Sequence, residues 1–254
     1  MIKIYGWFTS PYTIRVLIYA KFMKMPFEYI PTSTIPFIKA LNLYFHYGFV
    51  GFYKSLLPVL VKENSESIDD SISIGKWMCN SSGRVELLES DKTVDEIHTW
   101  INKRLLPTFS RFTMEYHKET SLELERRNAV MRIYDVMSKT NVELRIIAPL
   151  IRKFWPHIIV LYGYSPLTHL TRDIDRSDFL PQKRKVIEEF VEKLNANEGD
   201  YFGGKEPNLA DLTAYSIMIY HKLIGLNVNV FSSSHFQINN WMDKMSGKIE
   251  LPLI

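Results

Sequence analysis

The residues able to do chemistry fall at a few separate places in the chain. Ser10 precedes Pro11, which is a helix-start signal: a proline at the first helical position loses no hydrogen bond, and Thr9 or Ser10 can cap the exposed amides. A hydroxyl at that position sits where the helix dipole and the free amides favour negative charge. Asp69-Asp70-Ser71 stands before a second apolar-periodic run and reads as another helix cap. Tyr5 and Tyr12 are further hydroxyl donors, at positions that suit packing better than catalysis. The one cysteine, Cys79, falls on the apolar side of the run from Ile72 to Met78 and is expected to be an inert buried thiol. A single cysteine excludes an intramolecular disulfide and any multi-cysteine metal or iron–sulfur site, and it fits a reducing compartment. His46, His98 and His157 have no metal-ligand spacing with one another, so no metal site is expected.

These residues belong to a chain of 254 residues, 46% hydrophobic and 23% charged, with a formal net charge of +3. That length holds one large domain or two small ones, and the composition excludes disorder and collagen-like repeats. Thirty-one basic residues against 28 acidic ones form no basic block, so no nucleic-acid partner is expected. Residues 35–61 and 146–164 are apolar but interrupted by charge and proline, which argues against a transmembrane segment. Met1 to Phe8 is β-prone and lacks the features of a signal peptide, and a cytoplasmic location is the expectation.

The elements that must position the candidate residues divide into two halves. Ile2 to Phe8 reads as a strand, and Ile14, Leu17, Ile18 and Phe22 recur at helical spacing after it. Phe27 to Ile30 is a second short strand, which completes a unit of βαβ size. Leu57 to Val61 is a third strand, Lys62 to Glu66 a hairpin turn, and a short fourth strand ends near Ile68 ahead of the helix that Asp70 and Ser71 cap. Everything after about Ser90 reads as helix. Val94, Ile97, Ile101, Leu105, Phe109 and Phe112 mark an amphipathic helix that must kink near Pro107. Helices follow over residues 122–137, 142–162 and 181–194. After the Gly203-Gly204 turn, Asn208-Leu209-Ala210-Asp211 opens a helix that is apolar nearly all round and therefore belongs in the middle of a bundle. Asn208 and Asp211 read as a structural capping box. The expected organisation is residues 1–80 as one domain, 81–92 as a linker and 93–254 as an all-helical domain.

This order resembles the cytosolic glutathione transferase superfamily. Trp7-Phe8-Thr9-Ser10-Pro11-Tyr12, with Arg15-Val16 and Phe27-Glu28-Tyr29, is similar to the first strand and helix of tau- and zeta-like transferases, in which serine opens the helix. Leu57-Pro58-Val59-Leu60 resembles the thioredoxin-fold segment with a cis-proline, Asp70-Ser71 the acidic-serine pair after strand four, and Asn208 to Asp211 the capped core helix of the second domain. Residues 202–215 together with Trp241 resemble membrane-associated prostaglandin E synthase, type 2, over most of residues 90–245. That branch carries a Cys-x-x-Cys motif where Ser10 and Thr13 stand here, so its cysteine-dependent isomerase activity is not expected.

The resemblance implies an α/β thioredoxin-like N-terminal domain followed by an all-α C-terminal domain, the glutathione transferase fold. It implies glutathione as cofactor, with haem left open, and a homodimer acting on a small hydrophobic electrophile. Ser10 would be catalytic, donating to the glutathione thiolate with Thr13 assisting from one turn further on. Leu57, Pro58 and Val59 would line the peptide backbone, and Asp70 with Ser71 would hold the γ-glutamyl ammonium and carboxylate. The aromatic segment from Leu41 to Tyr53 is expected to be a subunit or protein-partner interface, an acceptor-substrate wall or a membrane-surface contact, or else an elongated helix with ordinary packing. The alternative to an enzyme is a catalytically inactive protein that keeps this fold as an interaction or scaffold module.

Overall fold

The computed structural model describes residues 1–6, 10–32, 57–88, 91–109, 179–223 and 236–250. The segment from Leu41 to Tyr53, the expected helices over 122–137 and 142–162, and His46 and His157 lie outside the described residues. The chain begins with β1 (Ile2–Gly6), α1 (Pro11–Phe22) and β2 (Phe27–Pro31), then β3 (Val59–Val61), β4 (Ser67–Asp69) and α2 (Ser71–Ser81). A 3-10 turn over Val85–Leu88 leads to α3 (Asp91–Trp100), a π-helical turn (Ile101–Leu105), α4 (Phe179–Asn195), α5 (Leu209–Leu223) and α6 (Phe236–Ser246).

The four strands form one mixed sheet in the order β2-β1-β3-β4. β1 and β2 run parallel, from Ile2 opposite Phe27 to Gly6 opposite Pro31, with α1 as their crossover. β3 is antiparallel to β1, with Tyr5 opposite Val59, and β4 is antiparallel to β3, with Val59 opposite Asp69. The expected third strand is shorter by two residues: its ladder begins at Val59, after the cis Leu57–Pro58 peptide bond.

α1 begins where Pro11 takes the first helical position, and the Ile14 amide donates to the Ser10 carbonyl at 3.0 Å. Every residue from Thr13 to Ala20 is buried, since this helix is enclosed by the sheet and also touches α2 and α5. α5 is buried from Leu209 to Ile219, as its all-round apolar pattern requires. Beside it, the rings of Phe190 and Phe202 lie 5.1 Å apart, and Phe190 lies 5.1 Å from Trp241 in an edge-on arrangement.

The expected kink near Pro107 is a widened turn. The ring of a proline collides with the carbonyl four residues before it, here Lys103, and lacks the N–H that would bond there. The chain answers by switching to π geometry over Ile101–Leu105, where the Leu106 amide donates to the Ile101 carbonyl, and helix resumes over 106–109.

Candidate functional site

Sheet register gathers most of the sequence-selected residues at one edge. β1 ends at Gly6, β3 begins opposite Tyr5, and β4 ends at Asp69 opposite Val59. The cis Leu57–Pro58 bond, the start of β3 and the start of α2 are therefore neighbours, and Ser10 opens α1 from the same end of β1.

Ser10 is the N-cap of α1 in extended geometry, with φ −90° and ψ 127°, but its side chain makes no capping hydrogen bond. Of the two candidate caps, Thr9 lies outside the described residues, and the Ser10 hydroxyl stands at the positive end of a 12-residue helix without capping it. Thr13 goes elsewhere. It is wholly buried, its side chain presses on Gly6 so closely that a Cβ at that glycine would lie 2.6 Å from it, and its Oγ1 has no hydrogen-bond partner.

Asp70 is the N-cap of α2, and its carboxylate accepts from the Ser73 amide at 2.9 Å. Its backbone has φ 68° and ψ 117°, a conformation that costs a non-glycine residue on the order of 1–3 kcal/mol. The result is an exposed acidic side chain at the very start of the helix, next to the buried Ser71. Pro58 and Val59 are buried and Leu57 is half-buried.

Arg15 ties these pieces together. Its Nη1 donates to Ser71 Oγ at 3.2 Å and its Nη2 to Asn102 Oδ1 at 3.0 Å, which joins α1 to α2 and to the π turn. The guanidinium carbon lies 5.3 Å from the centroid of the Tyr12 ring. Burial holds the Tyr12 phenol above its ordinary value, opposed by Arg15 and reinforced by Asp70. Sequence reasoning assigned Arg15 no role. The available signal was a charge inside the apolar run from Ile14 to Ala20, a helix too apolar to present a solvated face.

The remaining candidates are structural. Tyr5 is buried, and Cys79 is buried with its thiol pushed up to about 12, chiefly by desolvation, so it is no nucleophile. His98 is buried on α3, where its Nε2 lies 2.6 Å from Thr213 Oγ1. Asn208 and Asp211 form the expected reciprocal cap: Asn208 Oδ1 accepts from the Ala210 and Asp211 amides, and Asp211 Oδ2 accepts from the Asn208 amide at 3.0 Å. The Asp211 carboxylate also accepts from the Phe202 and Gly203 amides and from Trp241 Nε1. Among the described residues no cluster of His, Cys, Asp and Glu could hold a metal ion, and no helix is long and apolar enough to cross a membrane.

No family model matches the chain, and no curated protein matches it. Solved structures do. Poplar glutathione transferase F1 superposes with a TM-score of 0.54 at 14% identity, over 96% of this chain and 92% of that one. Human glutathione-S-transferase T1-1 gives 0.58 at 14% identity, over 98% and 84% of the two chains. Human glutathione transferase theta-2, solved in complex with glutathione, gives 0.58 at 15% identity, over 100% and 84%. With its mixed four-stranded sheet, its N-terminal α/β unit and its helical C-terminal region, the chain has the glutathione transferase fold.

Proposed function

We propose that the chain binds glutathione along the sheet edge formed by Ser10, the cis Leu57–Pro58 turn, Asp70 and Ser71, and acts as a serine-type glutathione transferase. One observation carries this reading: a helix-start hydroxyl that makes no capping hydrogen bond, a cis-proline strand entry and a strained acidic N-cap converge on one edge of a fold shared with a glutathione-bound neighbour. Asp70 offers a carboxylate for the ammonium of the γ-glutamyl end, and the N-terminus of α2 offers amides and the Ser71 hydroxyl for its carboxylate.

A cysteine thiol has an ordinary pKa of about 8.5, which leaves few thiolates at neutral pH. Ser10 donates its O–H to the thiolate sulfur, and the N-terminus of α1 adds its partial positive charge. The thiolate attacks the electrophilic carbon of an apolar acceptor, a carbon–sulfur bond forms, and the leaving group departs with its electron pair. The cysteine-dependent isomerase chemistry of the prostaglandin E synthase branch has no counterpart, since Ser10 and Thr13 carry no thiol.

Retention on immobilised glutathione and conjugation of 1-chloro-2,4-dinitrobenzene test the reading. The wild type is retained and conjugates. Ser10→Ala is retained but loses about 100- to 1000-fold in rate, the scale of one lost anion-stabilising donor, and Asp70→Ala elutes early. A wild type that neither binds nor conjugates points instead to a scaffold module with this fold.

A further inference from the structure

His98 is a buried titratable group that the proposed chemistry does not use; only 2% of its surface is exposed. From α3 its Nε2 reaches Thr213 on α5, and Thr213 also bonds Tyr19 on α1, so one hydroxyl joins three helices. Thr213 donates its own proton to the Leu209 carbonyl, which leaves only lone pairs for the other two groups. The ring proton therefore sits on Nε2, and Nδ1 is a buried lone pair without a partner.

A proton added at Nδ1 meets no acceptor. Among the described residues, the charged groups that face the ring are the cations Arg15 from α1 and Lys76 from α2, and Asp95 from its own helix. Asp95 is already paired with Lys76 Nζ at 2.8 Å, and α5 presents the Thr213 hydroxyl and the Leu209 carbonyl. An imidazolium here is a second buried cation beside Arg15 with its new N–H unsatisfied, which is costly. Relief requires carrying the ring to water. α3 has 10 residues, and a helix of that length does not persist in water once its packing is lost.

We propose that His98 is a pH-sensitive latch: its uncharged ring holds α3 to α5 and α1 through Thr213, and protonation at Nδ1 favours a form in which α3 has left that junction while the sheet stays folded. Asn102 follows on the same stretch of chain, so release also withdraws it from Arg15 on α1. Burial, then Arg15, hold the folded His98 at about 4 against 6.5 for an exposed ring, so the open form takes up the proton first and gains roughly 50-fold in population between pH 7 and 4.5.

Hydrogen exchange of the whole chain, read by mass spectrometry and corrected for the intrinsic rate at each pH, tests the latch. In the wild type, residues 91–105 lose protection by roughly 50-fold between pH 7 and 4.5, the factor set by the His98 shift. β1 and β3 keep theirs, because the full unfolding through which they exchange also frees Asp211, whose titration runs the other way. His98→Gln and His98→Asn retain an uncharged amide donor, and in either variant that folds the pH-dependent loss over 91–105 disappears. Tyr19→Phe weakens the junction without touching the titrating ring, so exchange there is faster at both pH values and the ratio between them is kept. Unchanged protection of α3, a loss shared equally by α3 and the sheet, or a pH ratio that survives in either His98 variant overturns the latch. The readout needs no ligand, so failure of the glutathione reading leaves the latch standing, and failure of the latch leaves that reading intact.

Discussion

The Tyr19 and Thr213 hydroxyls lie 2.5 Å apart although the residues are separated by 194 positions, and they join α1 to α5 through a buried contact. Thr213 donates its own proton to the Leu209 carbonyl at 2.8 Å, so it accepts from Tyr19 and also from His98 Nε2 at 2.6 Å. His98 thereby carries its proton on Nε2, and its buried Nδ1 has no partner. Tyr19 and Arg15 are one turn apart on α1, as are His98 and Asn102 across the end of α3. The result is two polar links from α1, one through Thr213 of α5 to His98 on α3 and one from Arg15 to Ser71 on α2 and Asn102 in the π turn, and the Arg15 link ends at the proposed ligand site.

Removing the Tyr19–Thr213 link should cost stability without touching the ligand edge. Tyr19→Phe deletes one buried hydrogen bond and leaves Thr213 with His98 and Leu209, so unfolding by urea should show a loss of about 1–1.5 kcal/mol. Tyr19→Ala removes a fully buried ring as well and should lose about 3–5 kcal/mol. Equal losses for the two variants would mean that the hydroxyl contributes nothing and the ring everything.

Gly75 on α2 lies directly against that ring. A Cβ there would lie 2.6 Å from Tyr19 Cε2 and 3.2 Å from Leu209 Cδ1, and neither can move freely in a buried helix junction. Gly75→Ala should therefore destabilise by about 1–3 kcal/mol through overpacking, even though alanine is the better helix former by about 1 kcal/mol. A midpoint unchanged or raised in thermal denaturation contradicts the close approach of α1 and α2.

The features readable in the sequence are those whose cause is local. Ser10-Pro11 and Asp70-Ser71 announce helix starts through cap chemistry, and the all-round apolar pattern after Asn208 announces a central helix. The edge that assembles them needed only strand order, which the βαβ spacing and the resemblance supplied. Arg15, Tyr19, His98, Asn102 and Thr213 were illegible as a group because each bond joins residues 56 to 194 positions apart. Nothing local to a tyrosine among apolar residues tells whether its hydroxyl meets a threonine or water. The π turn lies between these cases: Pro107 required an interruption, but whether a kink or a widened turn satisfied it depended on what the turn packs against.

Asp70 should show a stability–function conflict. Its positive φ is costly for any L residue but not for glycine, and glycine is nearly as good an N-cap as aspartate. Asp70→Gly should therefore match or exceed the wild type in thermal midpoint, while Asp70→Ala keeps the backbone cost, loses the cap and falls by about 0.5–2 kcal/mol. Both variants lose retention on immobilised glutathione. If Asp70→Gly melts below Asp70→Ala, the backbone at this position is not held under strain.

Two buried titratable groups give stability opposite slopes in the same pH window. Burial, with the Arg15 cation second, lowers His98 from 6.5 to about 4. Unfolded chains take up that proton while the folded protein does not, so this contribution is complete above pH 6.5 and is lost as pH falls through 4, a swing of ~3 kcal/mol. Burial raises Asp211 from 3.8 to about 6 against the pull of its N–H donors. There the folded state holds the proton, so the contribution is complete below pH 3.8 and is lost as pH rises through 6, again by ~3 kcal/mol. In the wild type the two slopes largely cancel between pH 4 and 6. His98→Gln removes the first, and its unfolding free energy should fall by about 2 kcal/mol relative to wild type as pH rises from 4 to 6, since part of the full swing lies outside that window. Asp211→Asn removes the second, and its unfolding free energy should rise by a similar amount. Carboxylates that titrate nearby, such as Glu66 and Glu86, act equally in all three proteins and drop out of the comparison. Urea unfolding of the three proteins at pH 4, 5 and 6 reads the slopes directly, and parallel curves would show that neither group is desolvated as its burial requires.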